Sequence, residues 1–174
     1  DATELMRRVR IVGSARRSVG SQCFEVICAA LLQRRRVQMQ YFTRSRKARS
    51  VREVSPQRLI HYRNTWYLDA WCHESEALRR FALDAMQSAR LLDNKAQRLP
   101  LKALEAELDR GYGIFAGGTE QWAELRFSPA AAAWVAQEEW HPKQQAQRHE
   151  DGALTLKLPY VDATELLMDL LRHA

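Results

Sequence analysis

Two runs of apolar, β-branched and aromatic residues meet across a short polar break in this chain. Leu59-Ile60-His61-Tyr62-Arg63 is followed by Asn64-Thr65 and then by Trp66-Tyr67-Leu68-Asp69-Ala70-Trp71. Runs of this composition joined by a tight polar turn read as an antiparallel hairpin. Strand alternation then sorts the second run. Trp66, Leu68, Ala70 and Cys72 point one way and suit a core, whereas Tyr67, Asp69, Trp71 and His73 point the other and suit a wet face or a ligand groove. In the partner strand Leu59 and His61 share one face, and Ile60 and Tyr62 the other.

Further strand signals surround the hairpin. Val37, Met39 and Tyr41 alternate with Gln38, Gln40 and Phe42, and Val51-Arg52-Glu53-Val54 alternates again. Arg44-Ser45-Arg46-Lys47-Ala48-Arg49 reads as the loop between them. Pro56 lacks an amide proton and marks a strand end or a bulge. Leu78-Arg79-Arg80-Phe81-Ala82-Leu83 makes a fifth strand. Before the strands, Cys23 to Leu32 has apolar residues at helical spacing, with Ser21 as N-cap and Arg34-Arg35-Arg36 at the C-terminal end, where the helix dipole favours cations. One helix and five short strands predict a small barrel, which closes on itself and leaves no sheet edge. Residues 1–20, rich in Arg, Ser and Gly, read as a linker or a poorly packed helix.

Residues 87–100 read as a connection to a second unit. Pro100 suits a first helical turn, with Leu101, Leu104 and Leu108 on one face, and Gly111-Tyr112-Gly113 ends that helix. There follow a strand (Trp122 to Phe127), a helix from Pro129 to Ala136 after Ser128, strands at about 143–149 and 153–160, and a helix from Asp162 to Arg172. Ser128 before Pro129, and Asp162 three residues before Glu165, are helix-start signals. This βαββα order predicts a ferredoxin-like sandwich short of its last strand. The chain reaches His173-Ala174 where that strand is due, so the strand is either cut off or disordered. The start, Asp1-Ala2-Thr3-Glu4, has no Met and no signal-peptide pattern, and reads as a segment of a longer protein.

Composition narrows the function. No apolar run reaches the roughly 18 residues of a membrane span. The three cysteines, Cys23, Cys28 and Cys72, are odd in number and lack metal-ligand spacing, which fits free thiols in a reducing cytoplasm. The net charge of +6 is unevenly spread. Residues 1–100 carry 20 Lys+Arg against 9 Asp+Glu, and residues 101–174 carry 7 against 12. A basic first unit attracts phosphate-bearing ligands, although a solvated surface without a partner has the same composition.

Residues 52–86 carry a more specific pattern: Arg52, Pro56, Leu59, Trp66-Tyr67-Leu68, Arg79, Phe81, Leu83 and Asp84. This string with its spacing closely resembles the WYL family over residues 22–90. The family usually has Arg-Ile after the Asp, where this chain has Ala85-Met86. Residues 119–174 resemble the WCX extension that often follows a WYL domain. The resemblance implies four segments: linker 1–20, WYL domain 21–92, a connecting segment with a helix at 93–118, and a WCX extension at 119–174. It implies an α+β architecture, with an Sm- or SH3-like five-stranded β-barrel and an N-terminal helix ahead of the ferredoxin-like domain. It also implies a cytoplasmic, homodimeric transcription regulator whose DNA-binding helix-turn-helix is missing here. The WYL unit would then sense single-stranded DNA or a nucleotide-like effector and change promoter binding by the missing domain.

Such a ligand needs cations for phosphates and flat side chains for bases. Arg44, Arg52, Arg58 and Arg79 are candidates for the charge, Tyr41, His61 and Tyr67 for stacking, and Ser55 for a bond to a phosphate oxygen. Arg79 is preferred over Arg80 because the two face opposite ways on a regular strand and Arg79 matches the family position. Each has a plainer reading: Tyr67 as a core aromatic, His61 as a surface residue, Arg46, Lys47 and Arg49 as a solvated loop, and Arg34 to Arg36 as a helix cap. Pro56 and Trp66 read as structural. His61, His73, His141, His149 and His173 have no metal-ligand spacing, Ser55 has no evident base, and Gly117-Gly118 lacks the Lys-Ser/Thr of a phosphate loop. No enzyme, metal or cofactor is expected, and no membrane partner. The competing readings are a structural dimerisation module with accessory nucleic-acid binding and, third, a hydrolase or nuclease.

Overall fold

A computed structural model describes residues 20–44, 47–114 and 118–173. The chain divides into two units, the first ending at Arg98 and the second beginning at Leu99. The linker expected at 1–20 lies outside the described residues, apart from Gly20.

The first unit opens with helix α1 (Ser21–Gln33). Cys23, Ile27 and Ala30 recur at helical spacing, and all three are buried. Ser21 is already helical: the N-cap position belongs to Gly20, which has no side chain to offer. Arg34 ends the helix in the left-handed conformation (φ 55°), its N–H returning to the Ala30 carbonyl. Arg35 and Arg36 are therefore strand residues rather than helix caps. They pair with Asp93 and Glu53, the second pair at 2.8 Å.

Five strands follow: β1 (Arg35–Thr43), β2 (Ala48–Tyr62), β3 (Thr65–Cys72), β4 (Ala77–Ala82) and β5 (Met86–Lys95). They form one antiparallel sheet in the order β4-β3-β2-β1-β5. β2 runs straight through Pro56 and merges two of the expected strands. The register with β3 slips between Pro56 and Arg58, so the ladder absorbs the missing amide in a bulge. The turn from β2 to β3 is Arg63-Asn64, both with positive φ (45° and 60°), as a two-residue hairpin requires. Thr65 already belongs to β3. The segment 87–100, expected to be only a connection, supplies β5. Its pattern was masked by the polar Asp93-Asn94-Lys95 end.

The expected closed barrel is not what forms. β4 and β5 are the two edges of an open sheet. Three residues of 3₁₀ helix, Leu83–Ala85, are all that separate these edges in sequence. Four residue steps span at most about 14 Å, whereas the outer strands of a flat five-stranded sheet stand about 19 Å apart. The sheet must therefore curl. Tyr41 of β1 bridges the curl, its hydroxyl accepting the Ala82 N–H at 3.2 Å and its ring meeting Phe81 edge-on at 5.1 Å. β5 then follows β1 while β4 follows β3, so the edges diverge beyond the turn and no ladder joins them among the described residues. Ile27, Val37, Met39, Val54, Leu68, Cys72 and Leu83 fill the inside of the curl. Phe24 of α1 meets Trp66 edge-on at 5.3 Å at one end of it.

The second unit contains α2 (Leu101–Leu108), β6 (Gln121–Phe127), α3 (Pro129–Val135), β7 (Gln145–Arg148), β8 (Leu154–Tyr160) and α4 (Ala163–Leu171). β8 lies between β6 and β7, antiparallel to both. β6 and β7 are thus parallel, with β8 inserted between them, a split βαβ arrangement. Phe127, Val135, Leu154, Leu156, Leu158 and Leu166 make the core. Ser128 caps α3 by accepting from the Ala131 N–H at 3.4 Å, and Asp162 caps α4 by accepting from Thr164 N–H at 2.7 Å. Glu165 does not complete a capping box. Its carboxylate is buried and accepts the Ile114 N–H at 2.6 Å.

Candidate anion-binding site

Cross-strand register decides which side chains of the first unit share a face. On the inner face, which carries the core, β2, β3 and β4 present the rows Val54–Cys72–Ala77, Pro56–Ala70–Arg79 and Leu59–Leu68–Phe81. β1 adds Met39 beside Arg52, and Tyr41 beside Ser50. On the outer face the rows are Ser55–Trp71–Leu78, Arg58–Asp69–Arg80 and Ile60–Tyr67–Ala82.

The eight residues expected to bind ligand are therefore split. Tyr41, Arg52 and Arg79 share the inner face, and Arg44 and Arg52 are close enough to the Tyr41 hydroxyl to act on its charge; these cations make the basic end of the sheet. Tyr41 packs on Phe81, two residues from Arg79 on the same face of β4. Burial pushes the Tyr41 hydroxyl above its ordinary pKa, although the Ala82 N–H and nearby Arg44 and Arg52 pull the other way. Arg44 leaves the end of β1 to pair with Asp84 at 2.5 Å, a carboxylate almost wholly covered. Arg52 is half-buried, its Nε donating to Ser50 Oγ at 3.1 Å and its Nη1 to Cys72 Sγ at 3.7 Å. Arg79 is exposed at the β4 edge, with Nε 3.5 Å from Ser75 Oγ. Glu74 completes this end. Burial raises its carboxyl, but the Glu53 N–H, the Cys72 thiol and Arg52 outweigh that and hold it below the usual carboxylate range.

His61 stands elsewhere. It lies nine residues along β2 from Arg52, on the order of 30 Å of extended chain, exposed and tilted against Trp66 at 4.8 Å. Tyr67 and Arg58 lie on the outer face. Arg58 Nε donates to Asp69 Oδ2 at 2.7 Å, while Arg80 donates to both Asp69 oxygens at 2.6 and 2.9 Å. Asp69 has no exposure, and the Arg80 and Arg58 side chains retain 8% and 24%. A carboxylate removed from water is tolerated because two cations and their hydrogen bonds replace its hydration. Ser55 is the expectation furthest from the structure. It has no exposure, and its Oγ is engaged by His73 Nε2 and the Gln97 N–H, each at 2.9 Å. Nothing in local sequence links Ser55 to Gln97, or Asp69 to its two arginines, because strand pairing makes both associations.

The same residues carry a family signature. The WYL domain family matches residues 22–91 and the WCX domain family residues 119–174. The chain carries a WYL domain followed by a WCX domain. Its WYL domain is thus the curled sheet with α1, and its WCX domain begins just before β6. Protein PafC of Mycobacterium leprae (strain TN) is 26% identical over 145 residues, which is 80% of this chain and 42% of that protein. The solved structure of proteasome accessory factor B/C (PafBC) of Arthrobacter aurescens is 25% identical with a TM-score of 0.46, covering 92% of this chain and 24% of that one. The WYL-WCX chain thus spans less than half the length of either relative. Within the WYL domain, the signature Trp66, Leu68, Phe81 and Leu83 lie in or against the core, whereas Arg44, Arg52 and Arg79 pair with Asp84, Cys72 and Ser75 respectively.

Proposed function

We propose that this chain is the sensing part of a cytoplasmic transcription regulator, and that its WYL domain binds a phosphate-bearing ligand, single-stranded DNA or a nucleotide-like effector. The observation that carries this reading is the placing of Arg44 and Arg52 close enough to Tyr41 to act on its hydroxyl, with Arg79 on the same sheet face two residues from Phe81, in a family-matched WYL domain. All three cations are partnered by a carboxylate or by sulfur and hydroxyl groups of the protein itself, so an incoming phosphate exchanges one set of charge-assisted bonds for another. The effect on promoter binding by a helix-turn-helix elsewhere in the protein then follows from different ligand affinity in two conformations. The WCX domain supports a homodimer in this reading.

Fluorescence anisotropy with short labelled oligonucleotides tests it. Single strands are expected to bind with micromolar or tighter Kd and to weaken steeply with salt. Arg52→Ala and Arg79→Ala each lose a charge-assisted contact and are expected to weaken binding roughly tenfold or more. Arg90→Ala, on the opposite face beside Gln38, is the control. Equal loss in all three variants would reduce the site to general surface charge.

A structural dimerisation module is the second reading. It is favoured by Leu167, Met168 and Leu171, which leave α4 with an exposed apolar stripe. Sedimentation of the wild type and Leu171→Glu separates the two readings. Loss of a dimer with oligonucleotide affinity intact would assign the stripe to assembly and the basic end to sensing.

A further inference from the structure

Ser55, His73, Gln57 and Gln97 form a knot that ligand binding at the basic end does not require. The Ser55 hydroxyl is fully buried between His73 Nε2 and the Gln97 N–H. Gln57 Nε2 donates to the Gln97 carbonyl at 2.6 Å and to the Ser55 carbonyl at 3.0 Å. Both backbone groups of Gln97 are thereby held, one residue before the first unit ends at Arg98. His73, on the other side of the knot, opens the turn between β3 and β4. Its N–H bonds the Glu53 carbonyl at 3.0 Å. The next residue, Glu74, accepts the Glu53 N–H at 2.6 Å and the Cys72 thiol at 3.2 Å. Cys72 sulfur in turn meets Arg52. An unbroken series of hydrogen bonds and peptide bonds therefore runs from Arg52 through Cys72, Glu74, His73 and Ser55 to Gln97.

The protonation state of His73 fits this series. Burial and the Arg36 charge hold the imidazole below its ordinary pKa, against the opposing pull of Glu53 and Glu74. A neutral ring with its proton on Nδ1 accepts the Ser55 hydroxyl proton at Nε2 and leaves the serine oxygen to accept from Gln97. A charged ring would donate there instead, and the proton of a fully buried hydroxyl would lose its acceptor.

We infer that Ser55 and His73 are positioning residues, a clasp by which the β3–β4 turn beside the basic end governs the freedom of the chain at Gln97, where it leaves the WYL domain. For a ligand to work the clasp, the proposed anion binding must hold, but the clasp can be tested without one. Amide hydrogen exchange on the 174-residue chain is the measurement. Ser55→Ala and Glu74→Ala are each expected to speed exchange of the Gln97 amide at least tenfold while Leu68 in β3 stays as slow as in the wild type. Unchanged Gln97 exchange in Glu74→Ala overturns the inference, because the turn and the exit would then be independent. Loss of protection at both Gln97 and Leu68 also overturns it, because it reports general loosening. The second arm adds a five-nucleotide oligothymidylate. Bound oligonucleotide is expected to shift Gln97 exchange at least threefold in the wild type and not in Gln57→Leu, with Kd within twofold between them. Binding without that shift overturns the relay and leaves the ligand site standing. If no oligonucleotide binds, the ligand reading fails and the first arm alone decides the clasp.

Discussion

Asp69 is a carboxylate with no exposure on the outer face of a sheet, and it survives there because Arg58 and Arg80 stand directly across from it in neighbouring strands. Removing it would leave two guanidiniums facing each other in a largely dry setting. Asp69→Ala is therefore expected to destabilise the first unit by about 3–5 kcal/mol, read as a drop in the urea midpoint. A loss below about 1 kcal/mol would mean that water reaches the pair. Tyr41 carries a smaller load. Its ring packs in the core and its hydroxyl satisfies the Ala82 N–H where the sheet curls. Tyr41→Phe keeps the ring and strands that amide, so a cost of about 1 kcal/mol is expected. Weakened oligonucleotide binding in the same variant would show that the hydroxyl also touches ligand.

At the scale of elements, short connections decide shape. The three-residue 3₁₀ turn between β4 and β5 forces the curl that brings Tyr41 against Phe81. In the WCX half, α4 is tied to the chain entering the domain: Glu165 accepts the Ile114 N–H, and Tyr112 donates its hydroxyl to Asp169. Gly113 makes this possible, with φ of 81° and so little room that a Cβ would sit 1.8 Å from Glu165 Oε2. Gly113→Ala must both strain the backbone and displace that carboxylate. A cost of about 2 kcal/mol or more is expected in thermal unfolding, whereas a neutral result would mean that the segment is not held by α4. Residues 112–114 connect two recognisable elements in sequence, yet their buried partners are some fifty residues away.

For the molecule as a whole, acidity is the useful probe. His73 and His141 are both held below the ordinary imidazole pKa, chiefly by burial and then by Arg36 and Lys143 respectively. The unfolded chain then binds protons first as pH falls. Stability is fully present above about 6.5, and is lost as pH drops from there toward the lowered native values. A second decline belongs to Glu74, Asp151 and Asp162, whose native pKa values are depressed, and sets in below the usual carboxylate range near 4. Thermal midpoints at pH 7.5 and 5.5 check the first decline. The difference is expected to shrink in His73→Phe, and an unchanged difference would assign the loss to other groups.

How much of this was legible in the sequence follows from the range of the forces involved. The hairpin at Leu59 to Trp71, the helix from residue 21, the helix starts at Ser128 and Asp162, and the WYL and WCX patterns are local signals. They depend on alternation, capping and spacing within a few residues, which any reader of the chain can see. β5 was hidden because its polar end resembles a loop, and the open edge between β4 and β5 because closure depends on where distant strands diverge. The candidate site divided in the same way. Alternation correctly separates Tyr67 and Asp69 from Leu68 and Ala70, but the bulge after Pro56 and the register across three strands decide that Arg58 meets Asp69 and that Arg52 shares a face with Arg79. By itself the sequence settled most of the elements and the WYL and WCX patterns. Only the folded chain decided that the Ser55 hydroxyl is buried and bonded to the Gln97 N–H, because a hydrogen bond between residues 42 positions apart exists only once the strands have paired.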